Sequence, residues 1–304
     1  MTRLRALLLA AALALAGCAT KPPHPEAFAF GILGDTPYSE NETVRFLELL
    51  HYVNVEPLAF VVHVGDMKAG GNSPCTDELY EERRAQFDRL KAPFHFIPGD
   101  NDWVDCRRPT NGRMDPLERL ERLRAVYYGA AVPSPATKRI AGERQPGFPE
   151  NIRWAQAGVV FTTLNVQGSN DNYGFDAASD AEHAKRLAAN LEWLATAARA
   201  AQAPGTRGLA VIFHVNPFIE SKQDVYRPYL EALRGAAGTL AKPVLLIHGD
   251  THHQRVDHPF KDARGETIAN ITRMETFGSP WVGWVKVHVD PDDPRLFSFE
   301  PRLP

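Results

Sequence analysis

The feature that most constrains the fold is a series of short apolar segments, each followed within three residues by an acid or a histidine. The segments are rich in β-branched and aromatic residues, a pattern typical of buried β-strands. They cover residues 28–33, 59–64, 94–97, 209–213 and 244–247. The polar residues that follow them are Asp35, Asp66, Asp100, His214 and Asp250. Amphipathic stretches between them predict helices near 39–50, 76–90, 115–128, 180–202 and 223–234.

The alternation of strands and helices predicts a mostly parallel sheet with helices outside it. Because ligands of such sheets gather at the carboxyl ends of the strands, we expect the acids and the histidine to share one edge. A single aspartate after a strand is also an ordinary turn former, so the argument depends on the whole set. Carboxylates held together repel one another unless cations neutralise them. The four negative charges of the aspartates equal the four positive charges of two divalent ions. The set therefore predicts a dinuclear metal site, with a single ion as the alternative.

The order of these motifs resembles that of the calcineurin-like metallophosphoesterase family. The matching motifs are Asp35, Gly65-Asp66, Gly99-Asp100-Asn101-Asp102, His214 and Gly249-Asp250-Thr251-His252. The resemblance spans about residues 28–289 and implies an α/β fold in which a two-sheet sandwich is flanked by helices, in αββα layers. It also implies a centre of two metal ions that hydrolyses phosphate esters. Residues 281–289, with alternating valines, would then form a strand of the second sheet.

The resemblance also assigns ligands to the two ions. Asp35, Asp66 and His252 would hold one ion. Asp66, as a bridging ligand, would hold the other ion, and the remaining ligands of that ion would be Asp100, His214 and Asp250. If the third motif is shifted by one residue, Asn101 replaces Asp100 as the ligand, and both alignments fit the sequence.

Three of the motifs depart from the family pattern. Pro37 stands where the first motif carries a metal-binding histidine, and Asn101 stands at the histidine position of the third motif. Asp100 occupies the asparagine position of that motif, and Asp250 replaces the first histidine of the last one. Carboxylates in place of imidazoles favour hard ions, so we expect manganese, magnesium, calcium or ferrous iron rather than zinc.

The departure at position 101 also affects the expected chemistry. Asn101 and Asp102 are the candidate catalytic residues, but an amide donates a hydrogen bond and cannot transfer a proton at neutral pH. Asp102 or His253 would have to replace the missing histidine, and we expect a preference for good leaving groups, as in aryl phosphates or nucleotides. Two functions follow: a phosphatase or phosphodiesterase acting on a small phosphorylated substrate, or a non-catalytic relative that binds metal or a phosphorylated ligand.

Some other polar and aromatic residues allow two interpretations each. The histidines inside apolar strands are expected to be hydrogen-bonded core residues rather than metal ligands; they are His63, His95 and His248. Arg107 and Arg108 either contact a substrate phosphate or form a solvated surface pair. Tyr38, close to the first motif, either stacks on a substrate ring or packs in the protein.

The first residues predict a targeting signal rather than part of the fold. Residues 1–17 combine two early arginines with an apolar core that suits a signal peptide and is too short to span a bilayer. Their Leu-Ala-Gly ending before Cys18 resembles the lipobox of bacterial lipoproteins, which implies cleavage before Cys18 and its lipidation. An ordinary secretory signal is the alternative. Ala19 follows in place of the aspartate that retains lipoproteins in the inner membrane, so we expect an outer-membrane lipoprotein facing the periplasm.

The mature chain is then expected to consist of a proline-rich tether at 18–27 and one metallophosphoesterase-like domain at 28–304. Its remaining cysteines, Cys75 and Cys106, form a disulfide in an oxidising compartment or else stay as two thiols. Cleavage before Cys18 would remove two of the 34 cationic side chains, which leaves 32 cationic against 37 anionic side chains. No basic excess is left to hold a nucleic-acid duplex. The lipid anchor is the only membrane contact expected, and the oligomeric state has no signal in the sequence.

Overall fold

Two β-sheets pack face to face, and helices cover the outer surface of each sheet. The computed structural model of the chain describes residues 24–129, 139–219 and 224–304. This architecture confirms the αββα sandwich that the sequence predicts. The predicted signal segment, Cys18 and most of the proposed tether lie outside the described residues.

The first sheet contains five strands: β1 (Phe28–Leu33), β2 (Val61–His63), β3 (Phe94–Phe96), β11 (Trp284–Val289) and β12 (Phe297–Arg302). Their order across the sheet is β12-β11-β1-β2-β3. Strands β1, β2 and β3 are parallel, whereas β11 is antiparallel to both β1 and β12. The three parallel strands therefore end at one edge, and the first three motifs follow them there.

The second sheet contains seven strands. They are β4 (Glu143–Gln145), β5 (Phe148–Gln156), β6 (Val159–Thr163), β7 (Gly208–Ile212), β8 (Val244–His248), β9 (Arg255–Asp257) and β10 (Ile271–Glu275). Their order is β4-β5-β6-β7-β8-β10-β9, and the central strands β6, β7, β8 and β10 are parallel. The histidine and the last motif follow β7 and β8, so they also lie at a carboxyl edge.

The strand predicted within residues 281–289 lies in a different sheet from the one expected. Residues 284–289 pair with β1 along the register Phe28↔Val289 to Ile32↔Val285. They therefore belong to the sheet of the first motif. The strand itself was predictable from its alternating valines, but its neighbour was not, because strand pairing depends on packing between distant parts of the chain.

Five long helices flank the sheets in the part of the chain that the structure describes. They are α1 (Glu40–Val53), α2 (Asp77–Phe87), α3 (Pro116–Tyr128), α4 (Ala177–Ala201) and α5 (Arg227–Leu240). The first four begin at a side-chain cap that accepts a backbone N–H, which satisfies one of the free donors of the first turn. The capping residues are Ser39, Thr76, Asp115 and Asp176. None of the helices within the described residues is long and apolar enough to cross a membrane.

The apolar core has three layers. One lies between the first sheet and α1 to α3, one between the second sheet and α4 and α5, and one between the two sheets. Aromatic rings fill the middle layer: Phe30 stacks on Phe60 at 4.7 Å between ring centroids and meets Phe161 edge to face at 5.5 Å. This packing holds the two sheets together and so brings their carboxyl edges close to each other.

A disulfide joins the start of α2 to the segment that follows the third motif. Cys75 and Cys106 are bonded, with 5.7 Å between their Cα atoms. Of the two alternatives, the structure therefore has the disulfide rather than two thiols. Both cysteines are fully buried. The bond fixes the short 3-10 turn Val104–Arg107 beside the carboxyl edge of the first sheet.

Candidate metal centre

The predicted metal ligands lie together where the carboxyl edges of the two sheets meet. The loops after β1, β2 and β3 come from the first sheet, and the loops after β7 and β8 come from the second. Parallel strands that end at a common edge bring the loops after them into one region. The side chains placed there are Asp35, Asp66, Asp100, His214, Asp250 and His252.

Four of these six residues have left-handed backbone conformations. The φ angles are 54° for Asp35, 55° for Asp66, 78° for Asp250 and 60° for His252. Such angles are uncommon for residues other than glycine, although aspartate tolerates them better than most, and they concentrate at functional sites. Gly99 is needed for close approach, because a Cβ atom at this position would lie 2.0 Å from Asp66 Oδ1.

His214 is the centre of one group of candidate ligands. Its Nδ1 lies 2.8 Å from the carbonyl oxygen of Val64, and because a carbonyl only accepts hydrogen bonds, Nδ1 carries a proton. Nε2 faces three carboxylates, 2.9 Å from Asp100 Oδ1, 3.5 Å from Asp66 Oδ1 and 3.8 Å from Asp250 Oδ1. Donors around one ion with bonds of about 2.0–2.2 Å lie roughly 3–4 Å apart. These atoms therefore fit a divalent ion.

The second group is formed around Asp35. The ligand atoms of Asp35, Asp66 and His214 lie within 4.8 Å of one another, but His214 has only one nitrogen free and can serve only one ion. His252 can complete this group, because its Nε2 lies 3.6 Å from Asp35 Oδ1. Its other ring nitrogen is 2.7 Å from the carbonyl oxygen of Ser279. The structure thus brings together the residues of both ligand sets that the motif resemblance implies, and their assignment to two ions stays a prediction.

The electrostatics of this cluster favour bound cations. Burial raises the pKa of Asp35 to about 8, with further contributions from Glu275 and Asp100. Burial and the neighbouring carboxylates also hold the pKa of Asp66 well above its usual range. Burial lowers the pKa of His214, but the surrounding carboxylates outweigh it and raise this pKa well above its usual value. Protons therefore compensate the carboxylates in the absence of metal, and divalent ions supply the same compensation at neutral pH.

The third motif supplies Asp100 to the His214 group, whereas Asn101 makes other contacts. Burial opposes ionisation of Asp100, but the hydrogen bond and charge of His214 lower its pKa overall. The Asn101 amide donates to Asp66 Oδ2 at 2.5 Å and to the Tyr38 hydroxyl at 3.2 Å. The geometry thus favours Asp100 over Asn101 as the ligand from this loop.

Asp102 has a structural position rather than a catalytic one. Its two carboxylate oxygens accept the backbone N–H groups of Asp66, Met67 and Gly99 at 2.9, 2.9 and 2.6 Å. The side chain is fully buried and does not line the cavity beside the ligands. The structure therefore does not support proton transfer from Asp102, which instead joins the second and third motif loops.

The other histidines are placed away from the ligand groups. His253, the alternative proton donor, is exposed on the surface and does not line the cavity. Burial lowers the pKa of each strand histidine to about 3, and each has a backbone hydrogen-bond partner, as expected for core residues. These core residues are His63, His95 and His248.

Tyr38 lies directly over the candidate ligands. Its hydroxyl is 3.0 Å from Asp66 Oδ2 and 3.3 Å from His252 Nε2. Its backbone N–H donates to Glu42 Oε2 at 2.9 Å, which ties it to the start of α1. Tyr38 therefore packs against the site itself and also lines its cavity, and stacking on a substrate ring stays a prediction.

Three further residues at the site had little or no signal in the sequence. Lys68 is fully buried and donates from Nζ to the carbonyl oxygens of Ala69 and Asn101 at 2.8 and 2.9 Å. Ser169 Oγ lies 2.7 Å from Asp100 Oδ2 and 2.8 Å from Asp105 Oδ1. Burial raises the pKa of Asp105 to about 7, and Asp100 contributes to the same shift. Lys68 and Asp105 follow recognised motifs within three residues, whereas Ser169 reaches the site from the short segment Gly168–Asp171, 69 residues after Asp100.

A small open cavity of about 250 Å³ gives access to the candidate ligands. Its wall consists of Tyr38, Asp66, Asp100, Asn101, Asp105, Arg108, Ser169, Asp250 and His252. Of the two adjacent arginines, only Arg108 lines this cavity. The volume suits a group of phosphate size with part of an attached substituent exposed to solvent.

Comparison with known proteins gives matches at the level of structure only. No protein family matches the sequence, and no curated protein matches it. Among solved structures, a dimetal phosphatase from Danio rerio is similar with a TM-score of 0.59 and 12% sequence identity. That match covers 91% of this chain and 96% of the other.

Two other solved structures extend the comparison. PhoD is similar with a TM-score of 0.56 and 13% identity over 88% of this chain, which spans only 64% of PhoD. GAP50, described as the anchor in the inner membrane complex of Plasmodium, has a TM-score of 0.51 and 11% identity, covering 91% of this chain and 89% of that one. At these identities the similarity shows the fold, so the chain has a metallophosphoesterase-like fold with a candidate metal centre at the expected edge.

Proposed function

We propose that this chain is a metal-dependent hydrolase of phosphate esters, a phosphatase or phosphodiesterase. The observation that carries the proposal is a pair of ligand groups where the carboxyl edges of both sheets converge. The ligand atoms of Asp35, Asp66 and His214 lie within 4.8 Å of one another, and so do those of Asp100, His214 and Asp250. Divalent ions in such a centre polarise a phosphoryl group and lower the pKa of a water molecule. The similarity in fold to a protein described as a dimetal phosphatase supports this assignment.

The proposal assigns the six candidate ligands to two metal ions. Asp35, Asp66 and His252 would hold one ion, and Asp100, His214 and Asp250 would hold the other together with Asp66. The Val64 carbonyl fixes the His214 ring so that Nε2 points at the carboxylates. Because four of the six side chains are carboxylates, we propose manganese or another hard dication rather than zinc.

Neither of the two candidate catalytic residues offers the leaving group a proton. Asn101 donates hydrogen bonds from its amide but cannot transfer a proton, and the oxygens of Asp102 are occupied by backbone N–H groups. We therefore expect aryl phosphates, whose leaving groups need no proton, to be hydrolysed faster than simple alkyl phosphates. Equal rates for both would contradict this expectation.

A second candidate function is a non-catalytic lipoprotein that binds metal or a phosphorylated ligand. Pro37 and Asn101, which replace two histidines of the family pattern, favour it. One protein of similar fold is described as an anchor rather than as an enzyme. Either function would be carried by an outer-membrane lipoprotein facing the periplasm, anchored through Cys18.

The experiment compares the wild-type protein with Asp66→Asn in an aryl phosphate assay with manganese. We expect the variant to lose at least about 100-fold in activity, because loss of one charge at the shared ligand weakens both ions. Asp115→Asn makes the same chemical change at the cap of α3, where asparagine caps equally well, and should leave activity unchanged. Thermal stabilisation by manganese with no turnover of any phosphoester would favour the binding protein instead. Stoichiometric zinc in protein purified without chelators, despite available manganese, would contradict the metal preference.

A further inference from the structure

Two adjacent arginines follow the disulfide-bonded Cys106, but their side chains point in different directions. The Arg107 guanidinium lies 3.8 Å above the Phe175 ring, and its Nη2 donates to Asn172 Oδ1. The Arg108 side chain lines the cavity beside the candidate ligands and is 48% exposed. Arg108 therefore faces the cavity, whereas Arg107 packs against Phe175.

Three contacts hold the Arg108 guanidinium at the cavity wall. Nη2 lies 2.8 Å from Asp105 Oδ2 and 3.4 Å from Ser169 Oγ, and Nη1 donates to the Gly70 carbonyl oxygen at 3.0 Å. A guanidinium has five N–H donors, so these contacts leave donors for an anion in the cavity. The contacts also fix the group in one orientation, which reduces the entropy lost when a ligand binds.

Ser169 connects this guanidinium to the His214 group. Its Oγ lies 2.7 Å from Asp100 Oδ2, and the other oxygen of that carboxylate is 2.9 Å from His214 Nε2. A phosphoryl group next to Asp100 and His214 is therefore within a few ångströms of Arg108. Among the described residues that line this cavity, Arg108 is the only arginine or lysine.

We propose that Arg108 binds a terminal oxygen of the substrate's phosphoryl group and thereby selects phosphate monoesters over diesters. This inference rests on the proposed hydrolase function. A monoester has three terminal oxygens and carries close to two negative charges at neutral pH. A diester has only two terminal oxygens and one charge. With two oxygens directed at the two ligand groups, only a monoester has a third oxygen for the guanidinium, and charge-assisted hydrogen bonds from arginine to phosphate are strong.

The test compares Arg108→Gln with Arg107→Gln, a matched change at the neighbouring position. With manganese, kcat/KM is measured for 4-nitrophenyl phosphate, a monoester, and for bis(4-nitrophenyl) phosphate, a diester. We expect Arg108→Gln to lower the monoester value by about 10- to 100-fold and the diester value by less than about threefold. Arg107→Gln should change neither value by more than about threefold. Equal losses on both esters in Arg108→Gln, or the same selective loss in Arg107→Gln, would overturn the proposal.

A second measurement separates this inference from the hydrolase proposal. Calorimetry with inorganic phosphate and the manganese-loaded protein needs no turnover. We expect phosphate affinity to fall by about tenfold or more in Arg108→Gln, while manganese affinity and the thermal unfolding midpoint stay close to the wild-type values. If the wild-type protein hydrolyses neither ester, the hydrolase proposal fails and the monoester selection fails with it. Unchanged phosphate affinity in Arg108→Gln would refute the role of Arg108 whether or not the protein is an enzyme.

Discussion

Replacing Asp35 by asparagine should stabilise the metal-free protein at alkaline pH although it removes a candidate ligand. Asp35 is fully buried, and both its oxygens accept the Asp250 N–H, at 3.0 and 3.1 Å. Burial raises its pKa to about 8 in the folded protein, whereas an aspartate in the unfolded chain has a pKa of about 3.9. The folded state therefore binds this proton more tightly than the unfolded state does.

The sign of the pH dependence follows from this difference. Because the pKa is raised on folding, the stability contributed by the Asp35 proton is complete below about pH 4 and is lost as the pH rises towards about 8. Each pH unit corresponds to about 1.4 kcal/mol, so the upper limit of the loss is about 5–6 kcal/mol. Proton sharing with the neighbouring carboxyls reduces this value, and the asparagine loses one acceptor oxygen at a cost of about 1 kcal/mol. We expect a net gain of about 2–3 kcal/mol for Asp35→Asn.

The assay is equilibrium unfolding of both proteins in a chelator and with manganese, at pH 5 and pH 8. In chelator at pH 8, Asp35→Asn should be the more stable protein by about 2–3 kcal/mol, and at pH 5 the two should agree within about 1 kcal/mol. With manganese at pH 8 the order should reverse, because the ion stabilises only the protein that binds it well. The reasoning would be refuted if the variant were less stable than the wild type in chelator at pH 8.

Two further predictions concern the cysteines. Replacing both Cys75 and Cys106 by serine removes a bond across 31 residues and should lower the free energy of unfolding by roughly 3–4 kcal/mol. Denaturant titration measures this difference, and coincident unfolding curves of the two proteins would contradict it. Cys18→Ser should move the protein from the membrane fraction to the soluble periplasmic fraction, because the proposed lipid anchor would be lost. A variant that still sediments with membranes would contradict the proposed attachment through Cys18.

Most of the candidate ligands were predictable because their signal is local. Each aspartate or histidine follows a short apolar segment, and the carboxyl ends of parallel strands necessarily share an edge. The chain positions of Asp35, Asp66 and His214 were therefore enough to expect them near one another. The strand segments themselves were recognisable from their composition, and all five that carry ligands are strands in the structure.

The role of the third motif was not predictable in the same way. Asp100, Asn101 and Asp102 are consecutive and similar in size, so the sequence cannot say which side chain points towards His214. The structure separates them by direction: Asp100 faces the histidine, Asn101 faces Asp66, and Asp102 faces backbone N–H groups. Direction is set by a 3-10 turn over Asp100–Asp102, and composition carries no information about it.

The sequence was enough to predict the types of candidate ligand, their order and the parallel strands that bring them together, because strand periodicity and turn chemistry act over a few residues. The contacts across the two sheets depend on the tertiary structure. It placed Ser169 against Asp100, turned Arg108 rather than Arg107 into the cavity, and put residues 284–289 beside β1. These contacts join segments that are far apart in the chain, and they depend on how the aromatic layer between the sheets packs.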